Sequence, residues 1–190
     1  MEIIEVLFLF AVLIFEIIFL SFAIFILVSD SISQTQGAPY VPLPRKSINN
    51  ILKFSEIKNS ISFYDLGSGD GRVLIEAIKN FGVEKAIGYE VSPWPYWKSR
   101  FLISRVGLKE KIKIFRFDFT KADLRNADLV FLYLFPKLVQ KSALKFKNEL
   151  RFGSKVLCVS FKIENPGKFN LQLIKIGKID RFNVFLYEKI

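Results

Sequence analysis

The chain has 190 residues, enough for one globular domain and a short appendage, and its 28 Lys and Arg against 18 Asp and Glu give a formal net charge of +10. It contains no histidine and one cysteine. These counts exclude a histidine general base, a Cys/His zinc site and an intrachain disulfide, which agrees with a reducing compartment. We expect no metal site, and we expect Cys158 to lie in the core.

The segment from Ile3 to Val28 consists almost entirely of Ile, Leu, Phe, Val and Ala. About 20 apolar residues cross a bilayer as a helix, whereas a signal peptide begins with basic residues and has a shorter apolar region. We therefore interpret residues 1–28 as a retained transmembrane anchor; the alternative is a buried core helix. All the basic residues follow it, so the positive-inside rule predicts a single-pass membrane protein with its amino terminus outside and the domain that follows the anchor in the cytoplasm.

The domain after the anchor is strongly basic, and the anchor itself contains acids. Without Glu2, Glu5 and Glu16 of the anchor, the rest of the chain carries a net charge of about +13. This charge indicates either attraction to anionic lipid or a solvated surface of biased composition. Glu16 lies mid-segment, about three helical turns after Glu5. An ionised carboxylate there costs at least about 2.5 kcal/mol. Glu5 and Glu16, with Glu2 nearby, share one side of the helix, the acidic face, which is predicted to contact protein. The alternative is that Glu16 is protonated and faces lipid without a partner.

Residues 29–45 are rich in Ser, Gln, Gly and Pro and are predicted to be a linker. A flexible linker of this length reaches about 20–25 Å, which keeps the following domain near the bilayer. It ends Pro39-Tyr40-Val41-Pro42-Leu43-Pro44, which is either a stiff polyproline spacer or a docked segment. A helix is then predicted from Lys46 to Ile57, at the start of a domain over residues 46–190.

A nucleotide-binding signature follows at 61–72, with the sequence I-S-F-Y-D-L-G-S-G-D-G-R. It predicts a strand, a glycine turn and a helix, an arrangement in which backbone can approach a ligand closely and the free N–H groups of the helix point into the turn. The third glycine comes one residue earlier than in dinucleotide binders. The acid that ends the strand suits an ammonium better than a pyrophosphate. The candidate binding residues are Asp65, Gly67, Ser68, Gly69 and Gly71.

Two more acids follow predicted strands. Glu90 ends the second strand, 84–90, and a carboxylate at that place can accept both hydroxyls of a ribose. Asp118 follows the third strand, 111–117, where it either accepts from an adenine amino group or caps a turn. Glu90 strengthens the nucleotide-binding interpretation of the glycine turn.

The remaining pattern predicts an α/β fold with a Rossmann-like seven-stranded sheet. A helix begins after an N-cap at Ser92, and Trp94 and Trp97 within it are expected to pack rather than bind a ligand. The most apolar strand, 128–135, is expected to be central. Further strands are predicted at 155–161, 171–176 and 182–189, with the last two forming an antiparallel hairpin linked by residues 177–180.

These motifs resemble a known family. The turn and its acid resemble motif I of the class I S-adenosylmethionine-dependent methyltransferases, whose sheet also has seven strands and a terminal hairpin. The pieces P-Y-V-P-L-P, D-L-G-S-G-D-G-R and G-Y-E-V-S-P-W, with the later Ser99-Arg100, are similar in order and spacing to one group. This group comprises the small protein-lysine methyltransferases that modify the mitochondrial adenine nucleotide translocase and ATP synthase c subunit, with archaeal and bacterial relatives.

The resemblance implies S-adenosylmethionine as cofactor and a lysine of a protein, in particular a membrane protein, as acceptor. It implies that Asp65 and the glycines hold the methionine part, Glu90 the ribose, and that Asp118 lies by the adenine. Tyr40 and Pro42 would border the pocket. The acceptor would enter at the end of the fourth strand, so the residues expected at the transfer site are Tyr133, Phe135 and Pro136.

Three other functions stay open from the sequence. A lipid or quinone methyltransferase would share the fold and cofactor. An RNA-binding protein would use the basic surface, but the anchor and the absence of [DN]-P-P-[YF] after the fourth strand argue against nucleic acid. A non-catalytic membrane scaffold would retain the fold without the chemistry.

Overall fold

The computed structural model describes residues 3–36, 39–57 and 59–190. Its helices are α1 (Ile3–Gln36), α2 (Arg45–Phe54), α3 (Arg72–Phe81), α4 (Pro93–Arg105) and α5 (Pro136–Glu149). Its strands are β1 (Ser62–Leu66), β2 (Lys85–Tyr89), β3 (Ile112–Phe115), β4 (Leu129–Leu132), β5 (Lys155–Val159), β6 (Leu171–Ile179) and β7 (Phe182–Lys189). Single 3-10 turns form at Phe119–Lys121 and Pro166–Phe169.

The strands form one mixed sheet in the order β3-β2-β1-β4-β5-β7-β6. The first five are parallel to one another, and β7 runs antiparallel between β5 and β6. The predicted seven-stranded fold is confirmed, including the terminal hairpin and the central β4. The hairpin link is shorter than predicted, because β6 continues to Ile179 and Asp180 takes a left-handed conformation at φ 51° in a two-residue turn.

Both faces of the parallel sheet are covered by helices, so alternate residues along each strand enter different cores. Phe63 and Phe131 pack with α2, α3 and α4, whereas Tyr64 and Val130 pack with α5 on the other face. Cys158 is fully buried in the second core, and burial raises the pKa of its thiol. This confirms the expectation that it is a core residue.

The amino-terminal helix α1 is longer than predicted. It does not end at Val28 but continues unbroken to Gln36, so the first half of the expected flexible linker is helical. The hydroxyl of Thr35 donates to the Ser31 carbonyl at 2.8 Å, four residues back along the helix. Residues 1–2 and 37–38 lie outside the described residues, and with them Glu2 and part of the linker.

The last turns of α1 pack on α4. Ser29 and Ser33 are buried, and the Ser29 Oγ accepts a hydrogen bond from the Trp94 backbone N–H at 2.9 Å. The rings of Phe22 and Trp94 meet edge to face with centroids 5.7 Å apart. Ser92 occupies the predicted N-cap position of α4, but its side chain makes no cap hydrogen bond. The Ser29 hydroxyl of α1 fills that role instead.

Elsewhere α1 is exposed, including Glu16. By length and composition it could cross a membrane, although core helices and signal sequences can have the same properties. Its role as an anchor, and the partner of its acidic face, stay predictions.

Candidate active site

A cavity lies outside the carboxyl ends of β1 and β4. The strand order reverses between these two neighbours, because β1 continues to β2 on one side and β4 to β5 on the other. Such a switch point leaves a crevice in which open α/β sheets bind their ligands. Most of the predicted binding residues meet there: Tyr40, Pro42, Asp65, Gly67, Ser68, Gly69, Glu90, Asp118 and Tyr133.

The glycine turn forms the floor of this cavity. Gly67 and Gly69 have φ of +89° and +54°, values that glycine adopts without strain. A Cβ on Gly69 would lie 2.9 Å from the ring of Tyr40, and one on Gly67 would lie 2.6 Å from Leu134. Gly71 is different, since it does not line the cavity and instead packs near Ile114 at the start of α3.

Glu90 is held in place by the backbone. Its Oε2 accepts from the Gly69 N–H at 2.9 Å and its Oε1 accepts from the Ser92 N–H at 2.8 Å. Burial raises the pKa of this carboxyl, and the two hydrogen bonds oppose that effect. Each carboxylate oxygen has a second lone pair that can accept from a ligand hydroxyl.

Asp65 is the more strongly perturbed acid. It is buried, and that burial, followed by the nearby charges of Glu90 and Asp70, raises its pKa well above the usual range. A bound cation would offset both the cost of burying the Asp65 carboxylate charge and the repulsion from the neighbouring acids. The cavity therefore favours a ligand with a positively charged group beside Asp65, as the sequence predicted.

A cluster that sequence reasoning missed closes one side of the cavity. Asp70 is buried and forms ion pairs with Arg72 (2.7 Å) and Lys98 (3.3 Å). Burial alone would raise its pKa, but the hydrogen bonds from Arg72 and Tyr40 and the charges of Arg72 and Lys98 lower it to about 2. Asp70 and Arg72 stood in the motif itself, but nothing in the sequence pairs them with Lys98.

The same cluster fastens the proline-rich lead-in, residues 39–44, across the cavity. Lys98 Nζ donates to the Tyr40 hydroxyl at 3.3 Å and lies 5.4 Å from the centre of its ring. Arg72 donates to the Leu43 carbonyl oxygen at 2.9 Å. Of the two predicted possibilities for this segment, the docked one is what the structure shows.

Asp118 serves the cap role and also lines the cavity, so the two predicted roles are compatible. Its Oδ1 accepts from the Thr120 N–H at 2.9 Å at the start of a 3-10 turn. Its Oδ2 lies 3.9 Å from Lys141 Nζ.

The predicted transfer-site residues separate. Tyr133 lines the cavity, with its ring edge to face against Phe182 at 5.8 Å between centroids. Phe135 and Pro136 lie outside that lining: Phe135 is about half exposed and packs near Phe161, and Pro136 begins α5. Of these three residues the structure thus brings Tyr133 alone beside the cavity, and their shared role stays a prediction.

Comparison with known proteins places these features in a family. The model of the ANTKMT methyltransferase domain matches residues 65–167, just over half of the chain. A protein-lysine N-methyltransferase from Saccharolobus islandicus is 28% identical over 155 residues, which cover 82% of this chain and 96% of that protein.

Two animal enzymes are also similar. The lysine N-methyltransferase of the ATP synthase c subunit from Xenopus laevis is 32% identical over 127 residues, 67% of this chain and 55% of that protein. The adenine nucleotide translocase lysine N-methyltransferase of Mus musculus is 31% identical over 66% of this chain and 54% of that protein. The chain therefore spans about half the length of these two relatives.

Solved structures agree on the fold. An RNA methyltransferase from Salinibacter ruber, in complex with S-adenosyl-L-homocysteine, has a TM-score of 0.72 and 26% identity, and the match covers 78% of this chain and 94% of that one. A tRNA methyltransferase of B. subtilis has a TM-score of 0.67 at 18% identity, covering 80% and 68% of the two chains.

The cavity fits a cofactor of this kind. Its glycine floor lacks the side chains that would fill it, and within the described residues the buried Ser68 Oγ at its edge has no hydrogen-bond partner. Asp65 and Glu90 offer one site for an ammonium and another for vicinal hydroxyls, groups that an S-adenosylmethionine carries on its methionine part and on its ribose.

Proposed function

Because the chain belongs to the family of ANTKMT methyltransferase domains and is an S-adenosylmethionine-dependent methyltransferase, we propose that it methylates a lysine side chain of a protein at or near a membrane. The observation that carries the cofactor-binding part of the proposal is the pair of buried carboxylates, Asp65 and Glu90, on either side of the glycine turn. The lysine acceptor is inferred from relatives whose names specify protein-lysine methylation.

Different residues of the cavity would bind different parts of the cofactor. Asp65 would hold the ammonium and Glu90 the ribose hydroxyls, with Ser68 free to donate to the carboxylate end. Asp118 would border the adenine, and Tyr40 with Pro42 would cover the site from the lead-in. When bound, S-adenosylmethionine would supply a methyl group on a sulfonium, from which a neutral thioether leaves readily as the amine takes the methyl, so the protein would need only to bind, orient and exclude water.

A lysine must lose its proton before it can attack, and its ordinary pKa is about 10.4. The acceptor end of the cavity has aromatic and apolar walls, including Tyr133, Phe131 and Leu134. An amine that enters such surroundings loses hydration, which favours its neutral form. Positioning then supplies most of the rate enhancement, and no histidine base is required.

The apolar helix α1 and the substrates named for the relatives support a membrane location. A 34-residue helix that is apolar up to Val28 and packs on α4 would hold the cavity close to the bilayer surface. The basic residues, all beyond the span, favour a cytoplasmic domain. The acceptor would then be a lysine near that surface, in a membrane protein.

Methyl transfer into native membranes tests the proposal. Membranes are incubated with the full chain in detergent and methyl-labelled S-adenosylmethionine, and protein, lipid and RNA fractions are counted separately. We expect label in protein, located on lysine by mass spectrometry. Label in lipid would instead identify a small-molecule methyltransferase, and label in RNA a nucleic-acid enzyme like the Salinibacter ruber relative.

Two variants control that experiment. At a subsaturating concentration of S-adenosylmethionine, Asp65→Asn should lower labelling at least about 10-fold, because the cofactor loses its ammonium partner. Phe152→Ser alters an exposed side chain in the loop before β5, remote from the cavity, and should label like the wild type. Labelling at the wild-type level by Asp65→Asn under that condition would refute the assigned cofactor site, and label confined to lipid or RNA would refute the lysine acceptor.

A further inference from the structure

The junction between α1 and α4 fixes where α4 lies relative to a membrane. Phe22 belongs to the apolar stretch of α1, six residues before Val28, which corresponds to about 9 Å along the helix axis. Its ring contacts Trp94 at 5.7 Å, and Ser29 accepts from the Trp94 N–H. If the apolar stretch is in lipid, the first turn of α4 therefore starts at the depth of the headgroups.

The face of α4 that points away from the protein is apolar and basic. Trp97 and Phe101 lie one turn apart and are 53% and 63% exposed. The Arg100 guanidinium lies 5.5 Å from the centre of the Trp97 ring, and Arg105 follows in the last turn. The helix contains no Asp or Glu. Exposed Trp and Phe flanked by Arg are unfavourable in water but typical of helices that lie in a membrane interface.

We propose that this outward face of α4, formed by Trp97, Arg100, Phe101 and Arg105, is a binding surface for anionic phospholipid. The aromatic side chains enter the headgroup region beside α1, and the two guanidiniums contact lipid phosphates. Charge complementarity and continuity with the lipid-embedded part of α1 select this partner. The proposal rests on the membrane span assigned to α1 under the proposed function.

Lipid binding at this surface would also help to position the active site. Lys98 is on α4, one residue after Trp97, and its ammonium holds both Asp70 and the Tyr40 hydroxyl at the cavity. The helix that rests on lipid is thus the helix that fastens the lead-in. The cavity would open at the height at which a lysine emerges from the bilayer.

Tryptophan fluorescence can test the proposal in the full chain, because Trp94 and Trp97 are its two tryptophans. Trp94→Phe leaves Trp97 as the single reporter, and Trp97→Phe leaves Trp94. Each variant is reconstituted into vesicles of phosphatidylcholine with 30 mol% phosphatidylglycerol, roughly a natural anionic content. Quenching is measured with lipids brominated at shallow or deep positions of the acyl chain, and with aqueous iodide.

We expect Trp97 emission to shift to shorter wavelength, to be quenched at least about twofold more by shallow than by deep bromine, and to be protected from iodide. Changing Arg100 and Arg105 to Gln together should at least halve that quenching. The matched control is Trp94→Phe with Trp97→Phe and Phe152→Trp. It places one tryptophan at a side chain that is 85% exposed and remote from α1; that reporter should be quenched by iodide and not by bromolipid.

The outcomes separate the two proposals. If Trp94 is quenched by bromolipid and Trp97 is accessible to iodide, the span stands and the lipid surface of α4 is refuted. If neither is quenched and carbonate washes the protein from the vesicles, the span itself is refuted. Equal quenching of Trp97 in vesicles of phosphatidylcholine alone would overturn the requirement for anionic lipid. Should Trp94→Phe fold poorly by circular dichroism, Trp94→Tyr provides the same single reporter.

Discussion

Replacing Gly69 with alanine should damage the active site through Tyr40. Two costs arise. The backbone at φ +54° costs an L-residue about 1–2 kcal/mol. The added Cβ would lie 2.9 Å from the Tyr40 ring, whereas carbon atoms pack at about 3.5–4.0 Å, so the ring must move by about 0.6–1 Å. That displacement weakens the hydrogen bond from Lys98 and lifts the lead-in from the cavity.

We expect Gly69→Ala to lose about 2–3 kcal/mol of unfolding free energy and to bind S-adenosylmethionine at least about 10-fold more weakly, measured by denaturant titration and calorimetry. Gly153→Ala is the matched control, because Gly153 has φ +80° and nothing within 4 Å of an added Cβ. It should show the backbone cost alone, with cofactor affinity unchanged.

A double-mutant cycle isolates the contact with the ring. In a Tyr40→Ala background the Gly69→Ala change should cost only the backbone strain, about what Gly153→Ala costs, because no ring remains to be displaced. An equal loss of stability and affinity in both backgrounds would refute the clash and leave Gly69 with a purely conformational role.

Three further predictions concern the acids of the cavity. Burial raises the pKa of Asp65 in the free protein, and a ligand ammonium lowers it, so affinity for S-adenosylmethionine should increase as pH rises through the raised pKa. Measured by calorimetry, Asp65→Asn should lose at least about 10-fold in affinity and should lose this pH dependence. Glu90→Gln offers one acceptor oxygen to two backbone donors and should weaken cofactor binding at least about 10-fold; affinity within twofold of wild type would show that the ribose is held elsewhere. The pKa of Asp70 is lowered to about 2, so its ionised form contributes about 2 kcal/mol to the unfolding free energy above pH 4, and this contribution is lost as pH falls through 2. In urea titrations Asp70→Asn should therefore be less stable than wild type at pH 7 and nearly equal to it at pH 2.

The sequence predicted the sheet well because its signals are local. Continuous apolar runs identified the buried parallel strands, and the glycines of the 61–72 motif marked the turn where backbone must take positive φ. The acids at the ends of β1 and β2 were found for a related reason: carboxyl ends of neighbouring parallel strands share one edge, so Asp65 and Glu90 had to converge.

What the sequence could not supply were contacts between distant segments. The Ser29 hydroxyl takes over the N-cap of α4 across 65 residues, and Lys98 reaches Asp70 and Tyr40 from a different helix. The end of α1 was misplaced because Ser, Asp and Thr in 29–36 are weak helix formers in isolation; burial of Ser29 and Ser33 against α4 outweighs that preference. Phe135 and Pro136 were assigned from strand position; β4 ends at Leu132, and both residues lie outside the cavity lining, so their role at the transfer site stays a prediction.

The hairpin at the carboxyl end has a consequence for solubility. Its outer strand, β6, is an edge of nine residues that exposes Leu173, Ile174 and Ile176, the kind of strand that can template pairing with a second chain. The pairing register shifts between Leu173 and Lys175, and Lys175 binds the Phe54 carbonyl and Glu56 after α2. This irregularity and its anchored lysine interrupt the continuous ladder that a second chain would need, so we expect the edge to resist intermolecular pairing.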